Sequence, residues 1–261
     1  MRPWMGLFLM VTLGACSSLP KPGSGLVEVS GMGDGGEWVR RAAEVEGDAW
    51  SKAERVEMRF SGEWRRIVER LQPGLVDTGF RKRSVEVYEP GKGRVTQTHV
   101  GPMGTKVVTR TGREVEVVYN GVREGDAVKR ASAALVADAY CLFGFGASWL
   151  QERGKDFRVV GRRSFAGEEC VLVEAVVRPG FGESKEDWVI AWIGEETRRV
   201  QRVQLTLFGL ESTAMADVDV VRSGFRAGPK GTEWAGRYVE HVQRPLLVKA
   251  HEWALEAIEV E

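Results

Sequence analysis

Asp187-Trp188-Val189-Ile190-Ala191-Trp192-Ile193, followed after a polar turn by Arg198-Arg199-Val200, is the stretch that decides the fold. Successive side chains of a strand point to opposite faces, and here both alternating sets, Trp188/Ile190/Trp192 and Val189/Ala191/Ile193, are apolar. A strand of that kind is covered on both faces. Working outward, the same period of two recurs in Val56-Met58-Phe60, Val85-Val87, Val115-Val117-Tyr119 and Val203-Leu205-Leu207. Turn residues separate these runs at Pro90-Gly91-Lys92-Gly93, Gly101-Pro102, Thr111-Gly112, Asn120-Gly121, Pro179-Gly180 and Gly228-Pro229. Short strands punctuated this regularly imply a large antiparallel sheet built from hairpins.

Two stretches carry the helical period instead. Asp34 as N-cap with Glu37 three residues on predicts a helix from Gly35 to about Lys52, with Trp38, Ala42, Val45, Ala49 and Ala53 along one face. A second helix is predicted after Asp126, ending near Phe143 where Gly144 and Gly146 break it. Its stripe of Val128, Ala131, Leu135, Ala139 and Leu142 is widened by Ala134, Ala137 and Cys141, so it is expected to be largely buried. The fold class expected is α+β, mainly β: a large curved antiparallel sheet with helices packed in its concavity. No internal period of roughly 20 to 50 residues suggests a solenoid or propeller.

The N-terminus reads as a targeting segment. Arg2 supplies a positive charge, and Met5 to Leu13 form an apolar core of nine residues, under half the roughly 20 needed to cross a bilayer. Residues 1–15 are therefore expected to be a signal peptide, with no lasting transmembrane span. Leu13-Gly14-Ala15-Cys16 resembles the lipobox of bacterial lipoproteins. The resemblance implies acyl chains on Cys16, cleavage on its amino side, and a periplasm-facing domain anchored in the cell envelope. Ser17 stands where aspartate directs inner-membrane retention in some bacteria, which points to the outer membrane. Residues 16–35 are expected to be the lipidated N-terminus and a flexible tether, since Ser17 to Gly36 is rich in Ser, Gly and Pro. That leaves 36–261 as a single domain, of a size that supports a real core.

The 37 basic residues match the 37 acidic ones, so nothing draws the chain to nucleic acid, and none is expected as a partner. Once Cys16 is lipidated, Cys141 and Cys170 remain, in a compartment where disulfides persist. Either they pair, pinning a helix to a strand, or they are two separate buried thiols.

Signals for an enzyme fail one by one. His251-Glu252-Trp253-Ala254-Leu255 begins like a zinc-protease motif but puts leucine where the second histidine must fall. Gly144-Phe145-Gly146-Ala147-Ser148-Trp149 opens like a dinucleotide fingerprint, yet it follows a helix and has Trp149 at the third glycine. With three histidines and no C-x-x-C pair, neither a metal nor a cofactor is expected. Asp217-Val218-Asp219 puts two carboxylates on one side of a strand, which suits either a cation or a solvated face.

The layout of the whole mature chain resembles the Lol lipoprotein-sorting carriers and receptors and their relatives. It shares an amphipathic helix first, a run of hairpins, a helical insertion, then more hairpins ending in a strand. Glu89-Pro90-Gly91-Lys92-Gly93 between two hairpin strands, and Asp187 to Ile193 leading into Arg198-Arg199-Val200, fit the same pattern. The resemblance implies a half-open β-barrel closed by helices over an apolar cavity, with no enzymatic activity and a lipid, lipoprotein acyl chain or other hydrophobic ligand. Trp188, Trp192, Leu205, Leu207, Tyr238 and Trp253 are the candidates for the cavity wall, or else for a dry core. Phe143 and Phe145, and Phe181, lie among glycines and are candidates for gates or for loops that dip into lipid, or else for tightly packed turns. The alternative is a structural or interaction lipoprotein with a closed core that recruits an envelope protein.

Overall fold

The structure is a computed structural model that describes residues 18–77, 79–213, 216–244 and 247–261. The signal segment and Cys16 lie outside the described residues. Helices α1 (Gly35–Glu46) and α2 (Ala49–Lys52) precede β1 (Val56–Trp64) and the short α3 (Arg66–Leu71) and α4 (Pro73–Val76). Hairpins follow: β2 (Arg83–Glu89), β3 (Arg94–Gly101), β4 (Gly104–Thr111), β5 (Glu114–Tyr119) and β6 (Val122–Arg123). Helix α5 (Ala127–Arg153) then leads to β7 (Gly154–Phe165), β8 (Glu168–Val177), β9 (Asp187–Gly194) and β10 (Val200–Thr206). The chain ends with β11 (Asp217–Ser223), β12 (Arg226–Ala227), β13 (Glu233–Trp234), β14 (Arg237–Arg244) and β15 (Val248–Val260).

Thirteen strands make one antiparallel sheet in the order β6-β5-β4-β3-β2-β1-β15-β14-β11-β10-β9-β8-β7. Its edges are β6 and β7, and α5 is the connection between them. That connection dictates curvature. Twelve steps of about 4.8 Å make a sheet about 58 Å wide, whereas a helix of 27 residues spans about 40 Å. A helix joining both edges is therefore a chord, and the sheet must bend around it. The helix is long and apolar enough to cross a bilayer, but 89% of that apolar window is buried inside the fold. Its Ala133 and Ala137 pack on Val108 and Val117, small side chains that let the first hairpins close down on it.

Helix α1 begins as its sequence requires, with the Asp34 carboxylate accepting from the Glu37 N–H at 2.8 Å. It stops at Gly47, whose φ of +87° suits glycine. The predicted stripe is rotated: Val39, Ala42, Ala43 and Glu46 are buried and Val45 is exposed. A charged residue on the buried face hid the true register from hydrophobic periodicity.

Glu46 has a definite task. Helix α5 does not end near Phe143 but runs on to Arg153 through a kink at Gly146 (φ +52°, ψ −119°). Gly144 stays helical, so only the second glycine breaks the ladder. The kink frees the Ala147 N–H, which donates to Glu46 Oε2 at 2.9 Å, an N-cap supplied from another helix. Glu46 Oε1 accepts from Arg222 at 2.7 Å and from the Val200 N–H at 3.3 Å, and Arg222 also donates to the Val200 carbonyl at 3.0 Å. A Cβ at position 146 would stand 2.1 Å from Arg222 Nη1 and 2.6 Å from Glu46 Oε2. Only glycine fits. Burial pushes the Glu46 carboxyl above its ordinary range, while Arg222 and the two backbone donors pull it back.

The stretch expected to be a tether lies along the convex face. Leu19 O accepts from Arg244, Pro20 O from Gln204, and the Gly23 N–H donates to Glu174. The Val29 N–H then reaches the Val159 carbonyl on edge strand β7 at 2.8 Å. The chain thus blunts an exposed sheet edge before turning into α1.

Removing Arg222 strands a buried carboxylate, which is costlier than losing the pair together. Arg222→Met is expected to lose about 3–5 kcal/mol of unfolding free energy in a urea titration. Glu46→Gln/Arg222→Met recovers much of that loss, because the amide oxygen introduced at position 46 still accepts from the Ala147 N–H; a double-variant loss equal to the sum of the singles contradicts this account.

Candidate functional site

The concave face beneath α5 has two halves of different chemistry. On the half from β8 to β11 and on to β14 and β15, the inward residues are mainly apolar, with Arg222, Glu240 and His251 the polar exceptions. Leu205, Leu207, Tyr238 and Trp253, four of the expected wall residues, lie in this core cluster together with Leu142 and Phe143 of α5. Trp188 and Trp192 do not join them. In β9 the set Val189, Ala191 and Ile193 faces inward, so the alternate set takes the convex face. There Trp192 packs with Cys170, Leu172 and Ile190 under Leu19 and Leu26, and its indole N–H donates to Gln204 at 2.7 Å. Trp188 meets Gly23 and carries the Arg158 guanidinium 5.8 Å from its ring centre. Both faces of β9 are covered, as its sequence required. The outer cover is the N-terminal segment, which no periodicity announces.

For the cysteines and the glycine-flanked phenylalanines the structure matches the second of the two readings left open. Cys141 lies on α5 in the concave core and Cys170 on the convex face, so the sheet separates them and both thiols are free and buried. Phe143, Phe145 and Phe181 are buried and not at mobile tips. Phe145 meets Trp50, Tyr88 and Trp234 edge-on at 4.9 to 5.3 Å, and Phe181 stacks on Trp149. Asp217 and Asp219 are taken by Arg244 at 2.5 Å and Arg202 at 3.2 Å, and no cluster of metal-ligating residues occurs among the described residues.

The half from β2 to β4 is polar and was missed by sequence reading. Val85-Val87 marks the outer face of β2, and the inward set is Ser84, Glu86 and Tyr88. Glu86 and Gln97 are wholly buried, and His99, Lys106 and Arg110 nearly so. Glu86 accepts from Ser84, Tyr88 and Gln97 at 2.9, 2.5 and 3.0 Å, and burial pushes its pKa up. Lys106 pairs with Asp77 at 2.5 Å, and Arg110 with Asp138 of α5 at 3.0 Å.

Between the halves stands an aromatic stack. His251 lies flat between Trp64 (4.1 Å) and Trp253 (4.6 Å), and Trp253 stacks in turn on Tyr140 and Tyr238. Gly62 makes room, since a Cβ there would be 2.6 Å from the Trp253 Cβ and 3.0 Å from His251 Nε2. Arg81 donates to the Tyr140 hydroxyl at 2.6 Å, and the same hydroxyl is hydrogen-bonded to His251 Nδ1 at 3.1 Å. Burial holds His99 and His251 well below the usual histidine pKa.

Openings into the concavity are small. A cleft of about 120 Å³ lies between α5 and the hairpin tips at Pro90 and Gly112, with Trp50, Trp149 and Phe181 in its wall. On the other side of α5, a cavity of about 20 Å³ lies between Arg81, His99, Tyr140 and His251. A larger depression, about 530 Å³, is over the charged outer face of β1 and β15.

No protein-family model matches the chain, and no curated protein matches its sequence. Its fold, by contrast, is that of known structures. A LolA superfamily protein from Nitrosomonas europaea superposes with a TM-score of 0.55 at 9% identity, covering 88% of this chain and 94% of that one. A DUF1329 family protein from Desulfovibrio piger gives 0.52 at 9% identity with the same coverage. The half-barrel expected from the order of elements is thus the fold observed.

Glu240 faces the concavity opposite His251, and burial raises its pKa from 4.5 to about 7 despite the pull of Arg81 and His241. A carboxyl with a raised folded pKa stabilises the fold fully below its unfolded pKa, and that contribution is lost as pH rises through about 7. Between pH 5 and 8 the protein is expected to lose on the order of 1–3 kcal/mol relative to Glu240→Gln, by urea unfolding at each pH. Parallel profiles for the two proteins contradict the assignment.

Proposed function

We propose that this chain is an envelope lipoprotein, anchored through acyl chains on Cys16, that binds a lipid, a lipoprotein acyl chain or a similar hydrophobic ligand between α5 and the concave face, without covalent chemistry. The observation that carries this reading is the kind of roof the apolar face has. Helices make most of its cover, with only the two-stranded β12-β13 ribbon beside them through Trp234, and the sheet edges β6 and β7 stay unjoined. Helix hydrogen bonds are internal to the helix, so lifting α5 exposes apolar surface but breaks no ladder of the sheet. The cleft of about 120 Å³ beside α5 is well below the roughly 300–1,000 Å³ of ordinary ligand pockets, so the described state is closed and loading requires α5 or the hairpin tips to move. The fold shared with a LolA superfamily protein supports the same reading.

The filled concavity favours a second reading, in which the domain stays shut and its surface recruits an envelope protein. The two are separated by native mass spectrometry of the Cys16→Ser form, purified without detergent from the soluble fraction and challenged with phospholipid and acylated peptide. A stoichiometric lipid adduct is expected, together with its loss in Val95→Trp, which fills the cleft, at an unchanged melting temperature. A Cys16→Ser form still bound to membranes removes the anchor, and a mass that stays bare after the challenge favours the recruiting domain.

A further inference from the structure

Arg81 is charged, largely enclosed and in direct ion-pair contact with no carboxylate among the described residues, although the buried carboxyls of Glu86 and Glu240 feel its charge. Its guanidinium carbon lies 4.9 Å from the ring centre of Trp64 and 5.2 Å from that of Tyr140, and its bond to the Tyr140 hydroxyl uses one nitrogen. The other terminal nitrogen, Nη1, is buried with no partner, and Arg81 forms no ion pair among the described residues. The arginines buried under α5 are matched: Arg110 by Asp138 and Arg222 by Glu46. An unmatched buried donor on a cation costs free energy unless something fills the place.

The space around it is suited to one small group. The cavity of about 20 Å³ against Arg81, His99, Tyr140 and His251 has room for about one water-sized atom group. A second cleft, of about 300 Å³, is lined by Trp64, Asp77, Arg81 and Lys82, so the guanidinium stands between the inner cavity and an outer route. Asp77 does not compete for Arg81, because Lys106 and the Tyr119 hydroxyl already hold it at 2.5 and 2.7 Å. Glu63, on the rim of the cleft, is exposed. His251 uses Nδ1 on Tyr140, so in its Nε2-protonated tautomer it presents an N–H at Nε2, and a neutral His99 offers one more donor.

One full positive charge with neutral N–H donors beside it matches a singly charged oxyanion. We infer that Arg81, His99 and His251 form a headgroup subsite for the oxyanion of an amphiphile, a phosphodiester or a carboxylate, whose apolar part passes Phe60 and Trp253 into the groove beneath α5. Phe60 and Trp253 line the same small cavity and belong to the apolar core, so the side of the cavity away from Arg81 is apolar. The inference rests on the lipid-binding reading above and specifies which end of the ligand is recognised.

Isothermal titration of the Cys16→Ser full chain tests it with four probes: dihexanoyl phosphatidylglycerol, octanoate, neutral octanol and inorganic phosphate. The two anionic amphiphiles are expected to bind at least tenfold more tightly than octanol. In Arg81→Gln that preference disappears while octanol binding is unchanged, and His99→Gln weakens the preference independently should the first variant not fold. Equal binding of octanol and the anionic amphiphiles overturns the subsite and leaves the lipid-binding reading standing. Binding of inorganic phosphate alone, abolished in Arg81→Gln, keeps an oxyanion site but sinks the amphiphile. No binding of any probe overturns both.

Discussion

The pair formed by Glu46 and Arg222 is the buried charge centre on which four elements converge. It ties the end of α1, the kink of α5 and strands β10 and β11 at one buried point. The kink in α5 requires glycine at 146, and the Ala147 N–H that it frees finds its acceptor in Glu46. Paired buried charges are seldom a net source of stability, so the role of this pair is geometric: it fixes where the helix bends and in which direction.

From that bend follows the division of the concave face. The part of α5 after Gly146 is held by Glu46 at Ala147 and by the Ser148 hydroxyl, which accepts from the Trp50 N–H at 2.8 Å. The part before it crosses the polar half, where Asp138 meets Arg110 and the Gly182 N–H, and Tyr140 meets Arg81. Both segments pack in the core, but only the one before Gly146 adds side-chain contacts to the polar half, at Asp138 and Tyr140.

Much of the fold was legible because the sheet obeys local rules. The hairpin turns, the Asp34 cap and the doubly covered β9 all appear where the residues place them. What was not legible had one common cause, the interruption of hydrophobic periodicity by buried polar groups. Glu46 shifted the apparent stripe of α1, and Ser84, Glu86, Gln97 and His99 made the inner faces of β2 and β3 look solvated. Trp188 and Trp192 failed as wall residues for a different reason: when both sets of a strand are apolar, alternation cannot say which set faces in. Arg81, the most informative residue of the candidate site, sits in a turn where no pattern marks it.

The central claim, that ligand lodges beneath α5, is tested most directly by hydrogen–deuterium exchange on the protein with and without a bound amphiphile. The account predicts altered protection from Ala127 to Phe145 and at the Pro90–Gly93 tip, with residues 147–153 and the convex segment 19–29 unchanged. Changes confined to the convex face, with α5 exchanging identically in both states, would contradict it.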